Sequence, residues 1–371
     1  LFIFVEESID EGTRGRSRLA GRGCCPAPPA RGAPRAARPA EELDHAVGPL
    51  RPVESAFTMR YNSVLNLWDP PVGERVLRYA SAALVELERR GNTGNLRRAA
   101  TVKLPDSLIS PSFEESNIED HTELAAALRE LTASAGLLKQ KRWSVSLPEA
   151  TARTLIVTLE VNTTGSELEE VLKWKMERGF GENLDELTIS RERLQADSQG
   201  RDRYLAVATR SSVLAEFETV LQALGWRAGL ILPRHIGEAQ WLTRNGAQGD
   251  SLLLSSSGKG FTAVIFRGPQ PLIIRTVTCG ADECEDELYR LLLYYRDRRT
   301  GETSGMGQTL FRVLVVGGIL NKNRVTDIVN ETLGTDLRPL GAEDLGLQLA
   351  TRELSFDIIA APAGLATLSW Q

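Results

Sequence analysis

The sequence has little of several things that define whole classes of protein. Its 371 residues include four cysteines and three histidines, too few for a dense disulfide framework or a site that binds several metal ions. No apolar run reaches the roughly 18 residues that a membrane-spanning helix needs, so direct membrane insertion is not expected. The net charge of −5 argues against a nucleic-acid partner. Composition therefore excludes membrane-spanning, fibrous, disulfide-rich and nucleic-acid-coating proteins.

What the chain does have is the composition of a soluble globular protein. Hydrophobic residues make up 42% of it and charged residues 25%, which is enough to bury a substantial core. At roughly 100–200 residues per domain, the length favours two domains. Function must be read from the order of the residues, because the composition is ordinary.

Residues 1–58 differ from the rest of the chain. They are rich in Ala, Arg, Gly and Pro, contain no Lys, and show neither helical nor strand periodicity. Such a segment buries too little apolar surface to offset the entropy lost on ordering, so we predict a disordered tail. The alternative is a mis-assigned upstream reading frame, because the first methionine is Met59 and residues 1–5 are too short for the apolar part of a signal peptide.

The four cysteines form two close pairs, Cys24 with Cys25 in the tail and Cys279 with Cys284. No further pair or histidine stands at zinc-binding spacing from Cys279 and Cys284, so both are predicted to be buried or half-buried thiols. Scattered cysteines without a disulfide framework are typical of a reducing compartment. We therefore expect a cytoplasmic protein.

No motif for enzymatic chemistry appears. The acidic residues between 169 and 186 are interspersed with Lys and Arg, which indicates a solvated helix face. His121 and His235 are expected to cap or line the starts of helices and not to bind a metal. No Ser-His-Asp order with a nucleophile elbow is present, so hydrolase chemistry has no support.

Apolar periodicity predicts alternating strands and helices in the first half. The clearest helix, residues 120–135, carries Leu124 and Leu128 on one face. A second helix is predicted to begin at Ser166, with Glu169 as its capping-box partner, and to run to about residue 178. The other predicted helices are 213–224 and 236–244, and the predicted strands are 75–88 (a hairpin or two short strands), 96–104, 143–147, 154–160, 203–209 and 228–232.

The second half has a distinctive order. The predicted elements are strands at 251–254, 261–266 and 272–278, a helix at 282–298, an all-apolar strand at 311–316 that runs into two glycines, and a helix at 324–333. Three strands, a helix, a buried strand, paired glycines and a helix is the order of half an actin-like fold. The pattern therefore predicts an α/β protein.

Six passages, in the same order, resemble the PilM family, the actin-like cytoplasmic proteins of type IV pilus assembly, and the related cytoplasmic GspL component of type II secretion. They are residues 124–131 (LAAALREL), 143–148 (WSVSLP) followed by Arg153, 167–174 (ELEEVLKW), 204–210 (YLAVATR), 221–225 (LQALG) and 315–318 (VVGG). The likeness extends from Ala80 to the C-terminus. It rests on the order of the passages and not on any single motif.

The resemblance implies a two-lobed, actin-like (ribonuclease H-like) α/β fold with a cleft and a small inserted α+β subdomain. The first lobe is expected at residues 70–235, with the insertion at about 155–225. The second lobe is expected at residues 236–371.

In that family a nucleotide site needs two phosphate-binding hairpins, each with Asp and then Gly after a buried strand. Gly lets backbone N–H groups approach the phosphates, and Asp holds a metal ion or water. In this sequence we take residues 77–84 as the first hairpin, and they contain neither Asp nor Gly. We take residues 253–260 as the second hairpin, where Ser stands in place of Asp. The resemblance therefore implies no firm cofactor, and at most a vestigial pocket for ATP with Mg²⁺. Its residues would be Ser256, Ser257, Gly258, Gly260, Gly317 and Gly318.

Simpler structural interpretations of these residues stay open. The serines and glycines of residues 256–260 suit a plain hairpin loop, since the spacing of a P-loop is absent. The glycines at 317 and 318 suit close packing between a strand and a helix.

The leading functional hypothesis from the resemblance is a cytoplasmic scaffold, peripheral to the inner membrane through its partner. The partner would be the cytoplasmic tail of a bitopic, PilN-like protein of pilus assembly or secretion. The alternative is an active actin-like ATPase that drives assembly. A sugar-kinase-like enzyme is third, but residues 251–268 lack the Asp that it would need as a base. The oligomeric state, including a homo-oligomer, stays open.

The resemblance places the partner peptide in a groove between the inserted subdomain and the first lobe. An apolar floor with a few polar clamps is the usual design of a peptide site. Leu172, Trp174 and Met176 are the candidates for apolar contact, and Arg153 and Arg210 are those for hydrogen bonds. An exposed Trp on a helix rich in charged residues leaves a large apolar surface in water unless another group covers it. The alternative is that Trp174 packs inward onto the subdomain sheet.

Overall fold

The computed structural model describes residues 63–68, 81–90, 93–105, 107–160, 166–244, 249–301, 309–349 and 354–368. The predictions for residues 1–58 and for the capping side chain of Ser166 lie outside this description. No helix among the described residues is long and apolar enough to cross a membrane.

Strands and helices alternate along the described chain. The strands are β1 Ser63–Trp68, β2 Ser81–Arg90, β3 Thr93–Lys103, β4 Arg142–Leu147, β5 Arg153–Thr158, β6 Leu187–Leu194, β7 Arg203–Arg210, β8 Arg227–Pro233, β9 Asp250–Ser257, β10 Gly260–Arg267, β11 Gln270–Thr278, β12 Leu310–Val316 and β13 Leu347–Gln348. The helices are α1 His121–Ser134, α2 Ser166–Phe180, α3 Ser211–Ala223, α4 Arg234–Thr243, α5 Ala281–Gly301, α6 Lys322–Leu333 and α7 Phe356–Thr367.

Two mixed sheets form the two lobes. The first has the order β13-β3-β2-β1-β4-β8, in which β1, β2 and β3 are antiparallel and β1, β4 and β8 are parallel. The second has the order β11-β10-β9-β12, with β9, β10 and β11 antiparallel and β12 parallel to β9. Both sheets thus follow one plan: a three-strand meander whose first strand pairs in parallel with the strand after a helix.

A third sheet, β5-β7-β6, belongs to the inserted subdomain, which we define as β5, α2, β6 and β7. Its small apolar core packs Leu172, Met176 and Phe180 of α2 against the sheet, and Phe113 joins it from outside the subdomain. The fold is therefore the two-lobed actin-like α/β fold with an inserted subdomain that the resemblance implied.

Four elements were missed in the sequence: the strands β1 and β6, the two-residue strand β13 and the helix α7. The strand β1 lies before the predicted start of regular structure, and β6 lies in the stretch after α2 to which no element was assigned. The helix α7 includes Pro362 and Gly364, residues that disfavour helix interiors. It forms because it is buried from Ile359 onward, and tertiary packing outweighs local propensity.

The prediction that Cys279 and Cys284 are thiols is wrong. Both are buried, as expected, but they form a disulfide that joins the end of β11 to the first turn of α5. The spacing of five residues fits because the Cα atoms lie 5.5 Å apart across the strand-to-helix turn. The cysteines therefore no longer support a reducing compartment.

The helices α4 and α7 cross at backbone contact between the lobes. A Cβ on Gly364 would lie 1.9 Å from the carbonyl oxygen of Gly237, and one on Gly237 would lie 2.4 Å from that of Ala361. The indole N–H of Trp241 donates to the carbonyl of Ala360 at 2.7 Å beside this crossing. Glycine is therefore required on both helices, because a single added methyl group would collide with backbone.

We expect Gly364→Ala to destabilise the protein by about 2 kcal/mol or more, because neither helix can move without disturbing a lobe. Gly280→Ala is the matched control, since a Cβ at Gly280 meets nothing within 4 Å. Urea unfolding measures both variants. Equal stability of the two variants would contradict the backbone contact.

Candidate functional site

A buried polar cluster lies between the lobes, where β4 ends and α4 begins. Glu149, in a short 3-10 turn after β4, is buried. Its Oε1 lies 2.7 Å from Nδ1 of His235 in α4 and accepts a 2.6 Å hydrogen bond from the Thr262 hydroxyl in β10. The other oxygen accepts from the backbone N–H of His235 at 3.3 Å. One carboxylate thus connects the first lobe, α4 and the second lobe.

The surroundings of Glu149 favour its ionised form. Burial alone would raise its pKa, but the charge of His235 opposes this, as do the hydrogen bond from the Thr262 hydroxyl and the charge of Arg234. The net effect lowers the pKa of Glu149 below its usual 4.5. The carboxylate is therefore a buried structural anion with its partners already in place.

The other carboxylates at this junction are also occupied by protein groups. Arg234 pairs with Glu238 one turn later in α4, and both are buried. In the first turn of α7, Asp357 accepts from the backbone N–H of Gly317 at 3.2 Å and from Nζ of Lys322 at 3.4 Å. The described residues include no group of three or more His, Cys, Asp or Glu that could hold a metal ion.

The second hairpin is a tight turn between β9 and β10. Its tip is Gly258 and Lys259, and the first residue of β10 is Gly260. A Cβ on Gly260, which has φ +145°, would lie 1.9 Å from the carbonyl oxygen of Val277. Packing of β10 against β11 therefore accounts for this glycine without any phosphate.

The structure brings two of the predicted nucleotide residues into contact. Gly317 follows β12 with φ +89°, and a Cβ there would lie 2.8 Å from that of Ser256. Ser256 is fully buried, and its hydroxyl has no hydrogen-bond partner among the described residues. Ser257 is half-buried and Gly318 is exposed beside them. Ser256 and Gly317 thus meet where the ends of β9 and β12 lie side by side.

The first hairpin was assigned to the wrong residues. The strand before the first hairpin is β1, Ser63–Trp68, and the strand after it is β2. Residues 81–84 of the predicted segment 77–84 therefore lie inside β2 and not in the hairpin. The connection between β1 and β2 is residues 69–80, outside the described part of the chain. Its sequence includes Asp69 directly after β1, followed by Gly73. The conclusion that the first hairpin position has no acidic residue was drawn from residues 77–84 and therefore does not hold.

Both arginines predicted to bind the partner already have partners in the protein. Arg153 pairs with Glu114 at 2.8 Å and lies 4.1 Å from the centre of the Phe113 ring. Arg210 pairs with Glu182 at 2.8 Å, which raises the pKa of Arg210. A peptide carboxylate would have to replace these glutamates.

The three apolar residues proposed for the same groove point in different directions. Leu172 and Met176 are one turn apart on α2 and are buried in the subdomain core. Trp174 lies between them on the opposite face, is 55% exposed, and has the Arg178 guanidinium 5.6 Å from its ring. The alternative that Trp174 packs inward is therefore wrong. Of the three, only Trp174 is available to a partner.

The sequence analysis missed the cluster around Glu149. The carboxyl ends of parallel strands are where an open α/β sheet places its crevice, and Glu149 follows β4 by two residues. Arg234 and Glu238 show the spacing of a helical ion pair. Both signals are present in the sequence, but only the structure shows that these side chains are buried.

Comparison with known proteins confirms the fold. No protein-family model and no curated protein matches the sequence. A chain of the PilM–PilN type IV pilus biogenesis complex superposes with a TM-score of 0.61 at 16% identity, covering 84% of this chain and 100% of that one. The resemblance inferred from the sequence is therefore supported at the level of fold.

Weaker likenesses include the cytoplasmic domain of EpsL from the Vibrio cholerae type II secretion system, with a TM-score of 0.41 at 13% identity over 76% of this chain and 92% of that one. A Bacteroides thetaiotaomicron protein with an actin-like ATPase fold superposes with a TM-score of 0.44 at 11% identity, covering 82% of this chain and 96% of that one.

We expect Glu149→Gln to cost about 2–3 kcal/mol near neutral pH, because it removes the anion beside His235 from a buried network. The lowered pKa of Glu149 means that its contribution is present above 4.5 and lost as pH falls through the lowered value. The difference in unfolding free energy from wild type should therefore be constant from neutral pH down to about 4.5 and shrink as the pH falls further.

Urea titrations across this range measure the difference. Glu130→Gln, on the exposed face of α1, is the control and should show none of this pH dependence. A Glu149→Gln difference that stays constant down to the lowest pH would contradict the assignment.

Proposed function

We propose that this chain is an actin-like scaffold of type IV pilus assembly or type II secretion. It binds the cytoplasmic segment of a PilN-like inner-membrane protein and does not turn over ATP. The observation that carries the proposal is the superposition on a chain of the PilM–PilN complex, which covers that chain completely. On this proposal the protein works in the cytoplasm, next to the inner membrane.

The surface that supports partner binding is centred on Trp174. Its exposed indole lies on α2, a helix whose outward side chains are mostly charged. A large aromatic with more than half of its surface in water, and a guanidinium over its ring, is a typical anchor for a peptide. Arg153 and Arg210 are the candidate polar contacts of the same subdomain, because each can exchange a glutamate of this chain for a carboxylate of the partner.

Replacing Trp174 tests this surface. We expect Trp174→Ala to weaken binding of a synthetic peptide from the PilN-like cytoplasmic segment by roughly 30-fold or more, as for an interface hot spot. The melting temperature should stay unchanged, because the side chain is exposed. Fluorescence polarisation with a labelled peptide measures the affinity.

Tyr294→Ala is the matched control, because Tyr294 is 54% exposed but lies on α5 of the second lobe. It should bind the peptide like wild type. Full affinity of Trp174→Ala would remove the α2 surface from the proposal, and absence of peptide binding by wild type would remove the proposed partner.

The cleft supports a scaffold without turnover. Ser256 stands where the second hairpin would need Asp, and Glu149, Glu238 and Asp357 are held by protein cations or hydrogen-bond donors. A Mg²⁺-triphosphate needs free carboxylates or waters that they order. An active ATPase is the second candidate, and Asp69, directly after β1, is the observation in its favour.

Mg-ATP separates these two candidates. Ligand at 100 times its Kd would stabilise the fold by about 2.7 kcal/mol, which a melting curve readily detects. We expect no such shift at low micromolar ATP and no phosphate release above background. A clear shift, with phosphate release that Asp69→Asn or Lys259→Ala abolishes, would establish the ATPase instead.

A further inference from the structure

A cavity of about 370 Å³ lies between the inserted subdomain and the second lobe, and neither Trp174 nor any residue of the polar cluster around Glu149 lines it. It is bordered by the β6–β7 connection on one side and by the β10–β11 connection on the other. Arg298, near the C-terminal end of α5, also lines it. Its lining is largely polar or charged and includes four arginines and three glutamines.

Four arginines line this cavity, and two of them are neutralised within the protein. Arg201 pairs with Asp197 at 2.7 Å. Arg267 lies 3.3 Å from the buried carboxylate of Asp250. These two pairs contribute no net charge to the cavity.

The other two arginines have no carboxylate partner among the residues that the structure describes. Arg203 is buried and donates to the backbone carbonyls of Pro271 at 2.7 Å and Leu272 at 3.5 Å. Arg298 is half-buried and forms no ion pair within the described chain. Burial and the nearby charges of Arg298 and Arg267 lower the pKa of Arg203, against the effect of Asp197.

Unpaired buried cations are costly unless an anion approaches them. Guanidinium groups bind the oxygens of phosphate through pairs of parallel hydrogen bonds, and amide side chains supply further donors. Gln195, Gln199 and Gln270 provide such amides around the arginines. A few hundred Å³ is the size of a small-molecule site and not of a protein interface.

We propose that this cavity binds a small compound with two or more phosphate groups, held by Arg203 and Arg298. Its walls come from the subdomain and from the second lobe, so the ligand would join them. This site is separate from the vestigial nucleotide position, and it does not depend on the proposed partner.

Isothermal titration of the full-length protein with inorganic pyrophosphate tests the site. We expect wild type to bind with a Kd below about 1 mM, and Arg298→Gln to bind about 10- to 100-fold more weakly. Ser198→Glu, an exposed substitution at the rim, should weaken binding similarly by repulsion. Arg296→Gln is the matched control: it removes a charge from the same helix outside the cavity lining, and should stay within about twofold of wild type.

Three outcomes would overturn the proposal. They are no binding of pyrophosphate by wild type, equal weakening by Arg296→Gln and Arg298→Gln, and unchanged binding by both Arg298→Gln and Ser198→Glu. Lys259→Ala should bind pyrophosphate like wild type. Loss of binding in that variant would move the anion to the cleft between the lobes and would also overturn the cavity site.

Discussion

The contact between Gly237 and Gly364 is the constraint on which the rest of the structure depends. Each lobe builds its own sheet, but the helices between them, α4 and α7, can approach only where neither has a side chain. The pairing of Leu147 in β4 with Pro233 in β8 places the first turn of α4 beside the end of β4, and so brings His235 to Glu149. The close crossing of α4 and α7 holds the two lobes together beside this polar cluster.

The buried charges at the junction between the lobes specify how the lobes are arranged more than they stabilise the fold. A buried ion pair recovers little more than its desolvation cost, so Arg234–Glu238 and Glu149–His235 add modest net energy. Each is nevertheless expensive to break, because the group left behind would be buried without a partner. The cluster therefore penalises wrong arrangements of the lobes, which is a different role from holding a nucleotide.

Much of the fold could be predicted from the sequence, because apolar periodicity in α1, α3, α6 and the central strands reflects burial directly. The order of elements in the second half was enough to identify an actin-like plan. The helix α7 could not be found, because Pro362 and Gly364 disfavour a helix locally and only burial compensates. The disulfide was missed because the distance between Cys279 and Cys284 depends on the turn before α5.

The candidate sites were less predictable, because they depend on which face a residue occupies. Leu172, Trp174 and Met176 are close in sequence, yet helical geometry places Trp174 opposite to the other two. The arginines around the cavity are scattered from Arg201 to Arg298, and only tertiary structure brings them together.

In mechanical terms, the three bodies of this protein form a closed ring. The lobes meet at α4 and α7, the subdomain is tied to the second lobe where Arg203 donates to the carbonyl of Pro271, and it is tied to the first where the Thr209 hydroxyl donates to that of Thr151. A ring of three joined bodies has no free hinge. Any opening of the cleft must therefore strain or release another joint, and a force applied to the subdomain is transmitted to both lobes at once.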